Sequence, residues 1–534
     1  MSKRAKKKKR TKERIAVKRG LKNCRSRNRK YIAWNHLTRN QKEVAKRIME
    51  GRYHMLKQGG WGFLDRFFIF LKSIGFWTTL DIDGQGFKRR MITIAKLILT
   101  YDMKVLLGLS SMNRVPDVLF SDVGLMMMLG YTAEQIKNGH CQRGKGKSPG
   151  PLHKNTLADA LDRFSASEVE HILNEGVKIL ARSGFLKDDL HYILDATGIE
   201  TTDKCKGRGM KVVKEKHVNK RGEVVVIEVR KYGFKLIVIR SVKSRIIVAA
   251  KVVRIEQHEK NYTFSLLKQA KENLGKKAKI EVLLIDRGFI DGEDLWKIKY
   301  VHKIDFIVPS KTNMAITEDA RGLRFSEAGP GLWRAEREDK KGRAMAIMGI
   351  AGLISYDQYG SESHNRKNRF AKDFKANPLN VVMVTKWKGE DYQVGKEKVF
   401  LTSLPVDDPL RIIDGYDLRS LIENTTFREL KQGWLVGAIP KKTQAAVASH
   451  IFLTLSMYNM TNAYRTELGD ELTGKGIRRF RRETFKETMD KIVIVAGEYF
   501  AIFDLEEFAL LVGNPPLEFW NVDPEKVKKE YGIK

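Results

Sequence analysis

Residues 189–198 read Asp-Leu-His-Tyr-Ile-Leu-Asp-Ala-Thr-Gly, and residues 280–289 read Ile-Glu-Val-Leu-Leu-Ile-Asp-Arg-Gly-Phe. Each contains a short apolar run that closes on an acid, Asp195 in the first and Asp286 in the second. Runs of this length, rich in aliphatic residues, predict buried strands. A carboxylate at the end of a buried strand needs a partner, because burying an unpaired charge is costly. One such acid alone reads as a turn or capping residue satisfied by backbone N–H groups. Two of them on adjacent strands would repel, and a divalent cation turns that repulsion into coordination.

The segments around these two runs define the architecture. Val224–Val229, Phe234–Arg240 and Arg245–Val253 are Val/Ile-rich strands separated by glycine and basic turns. A helix over Tyr262–Leu274 precedes the Ile280–Ile285 strand, and a short helix over Gly292–Tyr300 leads to a strand at Ile304–Val308. Three strands, a helix, a strand, a helix and a strand predict an α/β mixed sheet with helical crossovers, an order that fits a ribonuclease-H-like fold. We expect this core to span 189–310 and 406–465. Residues 311–405 interrupt it as a β-rich insertion, with strand-like pieces at Leu332–Arg334, Ala344–Ile350, Val381–Trp387 and Val399–Thr402. Helices are expected over Tyr416–Lys431 and over Gln444–Tyr464, the second suited to covering a sheet face.

Flanking the core, 31–188 reads as helical. Thr156 with Asp159 and Ser165 with Glu168 are capping-box-like starts, so this region is expected to bind DNA, by a helix-turn-helix or by helices that simply pack. Gly139, Gly144 and Lys145 have Walker A spacing, but Gly146 stands where the Mg²⁺-binding hydroxyl belongs, which rejects a P-loop. Residues 466–534 are expected to be helical, with a basic cluster at Arg478, Arg479, Arg481 and Arg482.

Charge indicates the partner. The 534 residues carry 100 Lys plus Arg against 64 Asp plus Glu, a formal net charge of +36, and such an excess calls for a polyanion. Residues 1–30 hold sixteen Lys or Arg against one acid, Glu13, and read as a disordered arm that binds phosphates without reading sequence. Three distant cysteines, Cys24, Cys141 and Cys205, supply neither a disulfide framework nor a four-ligand zinc site, which points to a reducing, cytoplasmic setting. No secretory signal is visible. The best apolar stretch, Phe63–Trp77, contains Asp65, Arg66 and Lys72, so no membrane partner is expected.

A third acid completes the candidate site. Tyr416, Arg419 and Glu423 fall within about 60° of one another on a regular helix, presenting a phenol, a guanidinium and a carboxylate together. As a plain surface, the same pattern is an Arg–Glu i,i+4 pair. With Asp195 and Asp286, the Tyr416-x2-Arg419-x3-Glu423 pattern resembles the DDE transposases of bacterial insertion sequences. The resemblance is to the group of the insertion sequence four type, with its tyrosine–arginine–glutamate–lysine signature, and it covers roughly 190–465. The family's lysine follows the glutamate after six residues, whereas seven separate Glu423 from Lys431. Lys431 then lies about 80° round a regular helix, and Arg428 is the alternative.

The resemblance implies that Asp195, Asp286 and Glu423 are catalytic and hold two Mg²⁺ or Mn²⁺ ions. It implies cleavage of transposon ends and joining of their 3′-hydroxyls to target DNA, with double-stranded DNA as partner and a homodimer on it, in the nucleoid-associated cytoplasm. Tyr416, Arg419 and Lys431 would contact phosphates, and Trp333 of the insertion would stack on a flipped base. Two other readings keep the same residues: a metal-dependent nuclease without strand transfer, and a catalytically inactive basic protein that binds nucleic acid by charge.

Overall fold

The computed structural model describes residues 38–533 except 60–61, 88–91, 132–134, 137–138, 140–150, 219–223, 327–329, 339–341, 343, 357, 361–376, 387–396, 421, 469–476, 479–490, 498 and 515–521. The arm at 1–30, the loop at 144–146, Trp387, and Arg479, Arg481 and Arg482 thus lie outside the described residues. The chain divides into two compact units, Met1–Ile179 with Lys204–Gly207 and Glu429–Lys534, and Leu180–Asp203 with Arg208–Arg428.

The second unit is organised by a ten-stranded mixed sheet. Strand β1 (His191–Thr201) follows helical residues and is preceded by the β-turn-prone Asp188-Asp189 pair; Tyr192, Ile193 and Leu194 are wholly buried, so the run is continuously apolar instead of alternating. Strand β2 (Gly209–Val218) forms a hairpin with the first half of β3 (Val224–Ser241), whose second half lies between β1 and β4 (Ile247–Arg254), antiparallel to both. Helix α1 (Thr263–Leu274) packs on β4 and carries the chain to β5 (Val282–Ile285), which is parallel to β1. Helix α2 (Gly292–Trp296) leads to β6 (Asp305–Pro309), parallel to β5. The spatial order β4-β3-β1-β5-β6, with three antiparallel strands followed by two parallel to the first, is that of a ribonuclease-H-like sheet.

The two expected strands at Val224–Val229 and Phe234–Arg240 are one strand of 18 residues. Gly233 does not break it. An added Cβ there would collide with the carbonyl of Ile199, so the glycine permits close approach of β1 inside a continuous ladder. The β-rich insertion extends the same sheet: β7 (Leu332–Glu338), β8 (Ala344–Leu353), β9 (Leu379–Lys386) and β10 (Lys398–Thr402) run antiparallel in sequence, and β10 pairs with β6.

The first unit combines helices with a four-stranded sheet in the order Thr38–Arg39, Tyr499–Asp504, Lys491–Ala496, Met55–Gly59. The stretches expected to be helical, 31–188 and 466–534, thus each contribute strands. The reason is that pairs distant in sequence supply each other's ladder, and Ile492, Ile494, Ala501 and Phe503 bury their side chains with Val44 and Ile48. The helix at Lys154–Arg163 begins three residues before the start expected from a Thr156 cap, capped instead by the imidazole of His153; the Ser165–Glu168 box is present, with the Glu168 N–H donating to Ser165 Oγ (3.2 Å) and the Ser165 N–H to Glu168 Oε2 (2.9 Å). The long helix Gln444–Glu467 is buried along most of its length and packs on Lys154–Arg163 and on the equally buried helix Ile94–Leu106. Among the described residues no helix is long and apolar enough to cross a membrane.

Candidate active site

The register of the parallel pair places the first two acids. Leu194 of β1 lies opposite Ile285 of β5, so the next residues, Asp195 and Asp286, stand side by side, and the Asp286 N–H donates to the Leu194 carbonyl (3.3 Å). Asp195 is buried, and its Oδ1 accepts the Ala196 N–H at 2.7 Å. Asp286 caps the short turn Arg287–Phe289, accepting the Gly288 N–H at 3.1 Å.

Glu423 arrives from the other end of the unit. Helix α3 (Pro409–Asp417) opens with proline after the capping Asp408. The helix expected over Tyr416–Lys431 is not continuous. It ends at Asp417; the Arg419 N–H donates to the Tyr416 carbonyl (2.8 Å) and the Ile422 N–H to the Arg419 carbonyl (2.9 Å). Residues Ile422–Phe427 then form a wide π turn, which packs on β1, before a short helix at Arg428–Gln432. A π turn closes i to i+5 and holds one residue more than an α turn, so angles counted at 100° per residue do not carry past Asp417.

The three acids nevertheless converge. A single atom, Arg419 Nη2, lies 2.6 Å from Asp286 Oδ1, 3.2 Å from Asp195 Oδ2 and 3.4 Å from Glu423 Oε1. No two of those oxygens can therefore be more than about 7 Å apart, a span that a pair of ions about 3.5–4 Å apart can bridge. Tyr416 is half-buried beside them, its ring 4.8 Å from that of Phe400 and 6.0 Å from the Arg419 guanidinium carbon.

Burial and charge oppose each other here. Burial pushes the Asp195 carboxyl up to about 7, against the pull of Arg419, with Asp286 and Glu423 adding to the rise. Burial also raises the Tyr416 phenol well above its ordinary range. For Arg419 burial works against the charge, but Asp195, Tyr416, Asp286 and Glu423 outweigh it and hold the guanidinium protonated. Among the described residues no three His, Cys, Asp or Glu side chains form a group that could hold a metal ion as they stand. The donor chemistry still fits Mg²⁺ or Mn²⁺, since three carboxylates already address one cationic centre and hard oxygens are what these ions take.

The other candidates lie elsewhere. Trp333 is half-buried on β7, the last strand of the sheet, opposite Gly349 and separated from β5 by four strands. Arg428 is exposed at the end of the sheet unit, and Lys431 is exposed in the other unit. Sequence reading missed Glu259, which pairs with Lys235 (2.5 Å) in a short turn before α1. A Cβ added at Gly288 would meet both Glu259 Oε1 and Asp286 Oδ2 at 3.3 Å, so this fourth carboxylate borders the site. An isolated acid in an irregular turn carries no spacing signal that would have found it.

Residues 186–460 match the family model described as the transposase DDE domain. Among curated proteins none matches. Among solved structures the chain is similar to the piggyBac transposase of a synaptic complex with hairpin DNA, seen by electron cryo-microscopy, at 10% identity over 82% of this chain and 76% of that one, with a TM-score of 0.35. The family match runs over more than half of the sequence and encloses Asp195, Asp286 and Glu423, and on that ground the chain belongs to the DDE-domain transposases.

Proposed function

We propose that this transposase is of the insertion sequence four type and acts on DNA through Asp195, Asp286 and Glu423. The observation that carries the reading is the convergence of these three carboxylates, from the middle of β1, the residue after β5 and a remote turn, on one nitrogen of Arg419. They would hold two Mg²⁺ or Mn²⁺ ions, which when bound supply activation of a water or 3′-hydroxyl and stabilisation of the departing oxygen. The chain's own residues do the rest. Asp195 and Asp286 are locked in position by the β1–β5 register, so the acids need no reorganisation to meet. Arg419 and Tyr416 would contact the phosphodiester, with Lys431 or Arg428 as a further phosphate contact, and positive charge there would position the strand and stabilise charge developing on phosphate oxygens. Trp333 is the proposed stacking surface for a flipped base, and a DNA-bound homodimer would bring two transposon ends together.

The test is a joining assay. Purified protein, Mn²⁺, supercoiled plasmid and oligonucleotides with free 3′-hydroxyls should give nicked plasmid and covalently joined product, both lost in Asp195→Asn. Nicking without any joined product would support the nuclease reading, and activity surviving in all of Asp195→Asn, Asp286→Asn and Glu423→Gln would reject the site.

A further inference from the structure

We propose that Arg419 is the placeholder of the metal site: in the DNA-free protein its guanidinium is the cation that assembles the three acids, and divalent ions enter only as it withdraws. This rests on the reading of Asp195, Asp286 and Glu423 as metal ligands.

The hydrogen-bond pattern of Arg419 supports it. Arginine normally meets a carboxylate through two nitrogens in a fork. Here one nitrogen, Nη2, takes all three carboxylates, although it carries only two N–H bonds to offer. The acids therefore surround it as they would surround an ion. Nε, meanwhile, is buried without a hydrogen-bond partner among the described residues. An orphaned buried N–H is costly, so this is not the arrangement the guanidinium would take for its own sake. The focus of the acids dictates it.

A guanidinium and a divalent cation cannot share that focus, because like charges a few ångströms apart in a partly buried site repel strongly. Arg419 has a route out. It lies between the end of α3 and the wide Ile422–Phe427 turn, outside any regular helix. Once displaced, its fork regains both nitrogens, with Nε and Nη free to take two oxygens of a phosphate. Metal entry thus hands the phosphate its arginine, and by linkage phosphate binding favours metal entry to the same degree.

Mn²⁺ titration of the full-length, DNA-free protein by calorimetry tests this. Arg419→Gln should bind Mn²⁺ at least about tenfold more tightly than wild type, since the competing cation is gone. Arg419→Lys keeps the charge on a shorter, single-point cation; it should fall between the two and serves as the second variant should glutamine disturb the fold. A non-specific DNA duplex should tighten Mn²⁺ binding to wild type and leave Arg419→Gln unchanged. Equal or weaker Mn²⁺ binding by both variants, with Asp286→Asn abolishing it, would overturn the placeholder and leave the metal site standing. Mn²⁺ binding that is absent, or indifferent to Asp286→Asn, would overturn both.

Discussion

In the unit built on the long helix Gln444–Glu467, several ionisable side chains are buried so deeply that desolvation dominates them; around Asp195 of β1 and Asp286, just past β5, acids gather instead on one half-buried arginine. His450 illustrates the first case. Its Nε2–H donates to the Leu435 carbonyl (3.1 Å), so Nδ1 must accept from the Tyr101 hydroxyl (2.8 Å), and burial drives the imidazole down to about 3. Lys96 and Lys104 are likewise pushed down to about 8 by burial, and Asp102 is raised well above the carboxylate range. Each of these groups shifts toward its neutral form. Arg419 does not, because three carboxylates meet it at one point and outweigh its desolvation. The same physics pushes deeply buried groups toward neutrality and holds charge where opposite charges converge.

The largest expected effect breaks the charged cluster. Asp286→Asn should lower strand cleavage by about a thousandfold or more, several kcal/mol of transition-state stabilisation, while circular dichroism stays native; cleavage within tenfold of wild type would refute the assignment. The second probes the neutralised region. Unfolded His450 takes up a proton near its ordinary value of 6.5, and the folded protein refuses it until about 3. Its contribution to stability is therefore present above pH 6.5 and is lost as the pH falls through that window, by several kcal/mol. Urea unfolding at stepped pH should show a steep acid loss for wild type and a shallower one for His450→Gln, and parallel slopes would contradict this.

A smaller effect is expected at Lys104. Between about 8 and 10.5 the folded protein sheds a proton that the unfolded chain keeps, so wild-type stability rises with pH across that interval. Lys104→Met should remove the rise and stabilise the protein by about 1–2 kcal/mol at pH 7, seen as a thermal midpoint a few degrees higher; a lower midpoint would count against it. Smallest is Tyr416→Phe, which keeps the ring on Phe400 and removes only the hydroxyl. Cleavage should fall by less than about tenfold with unchanged stability, and a larger loss would give the phenol a direct chemical role.

Much of the sheet was legible because its strands are buried on both faces, as the runs ending at Asp195 and Asp286 show. Strand β2 was not. Its hairpin with β3 leaves Met210, Val212 and Val224–Ile227 exposed, so there is no buried face for a period to report. The break after Asp417 was hidden too, since Leu418, Ile422 and Leu430 continue a helical apolar spacing. Glu423 is singled out by a spacing rule that the backbone does not follow, and it still meets Arg419 at 3.4 Å because the wide turn packs on β1.

Local pattern alone determined which segments could be strands, that each of two apolar runs closed on an acid, and that the chain is strongly cationic, because burial and charge are written residue by residue; it did not show that β1 runs on past Asp195 to Thr201. Only the tertiary structure decided that Leu194 lies opposite Ile285, that the insertion joins the same sheet, and that Arg419 stands at the focus of three carboxylates. Those depend on backbone register and on contacts between residues up to 224 positions apart, to which no local period is sensitive.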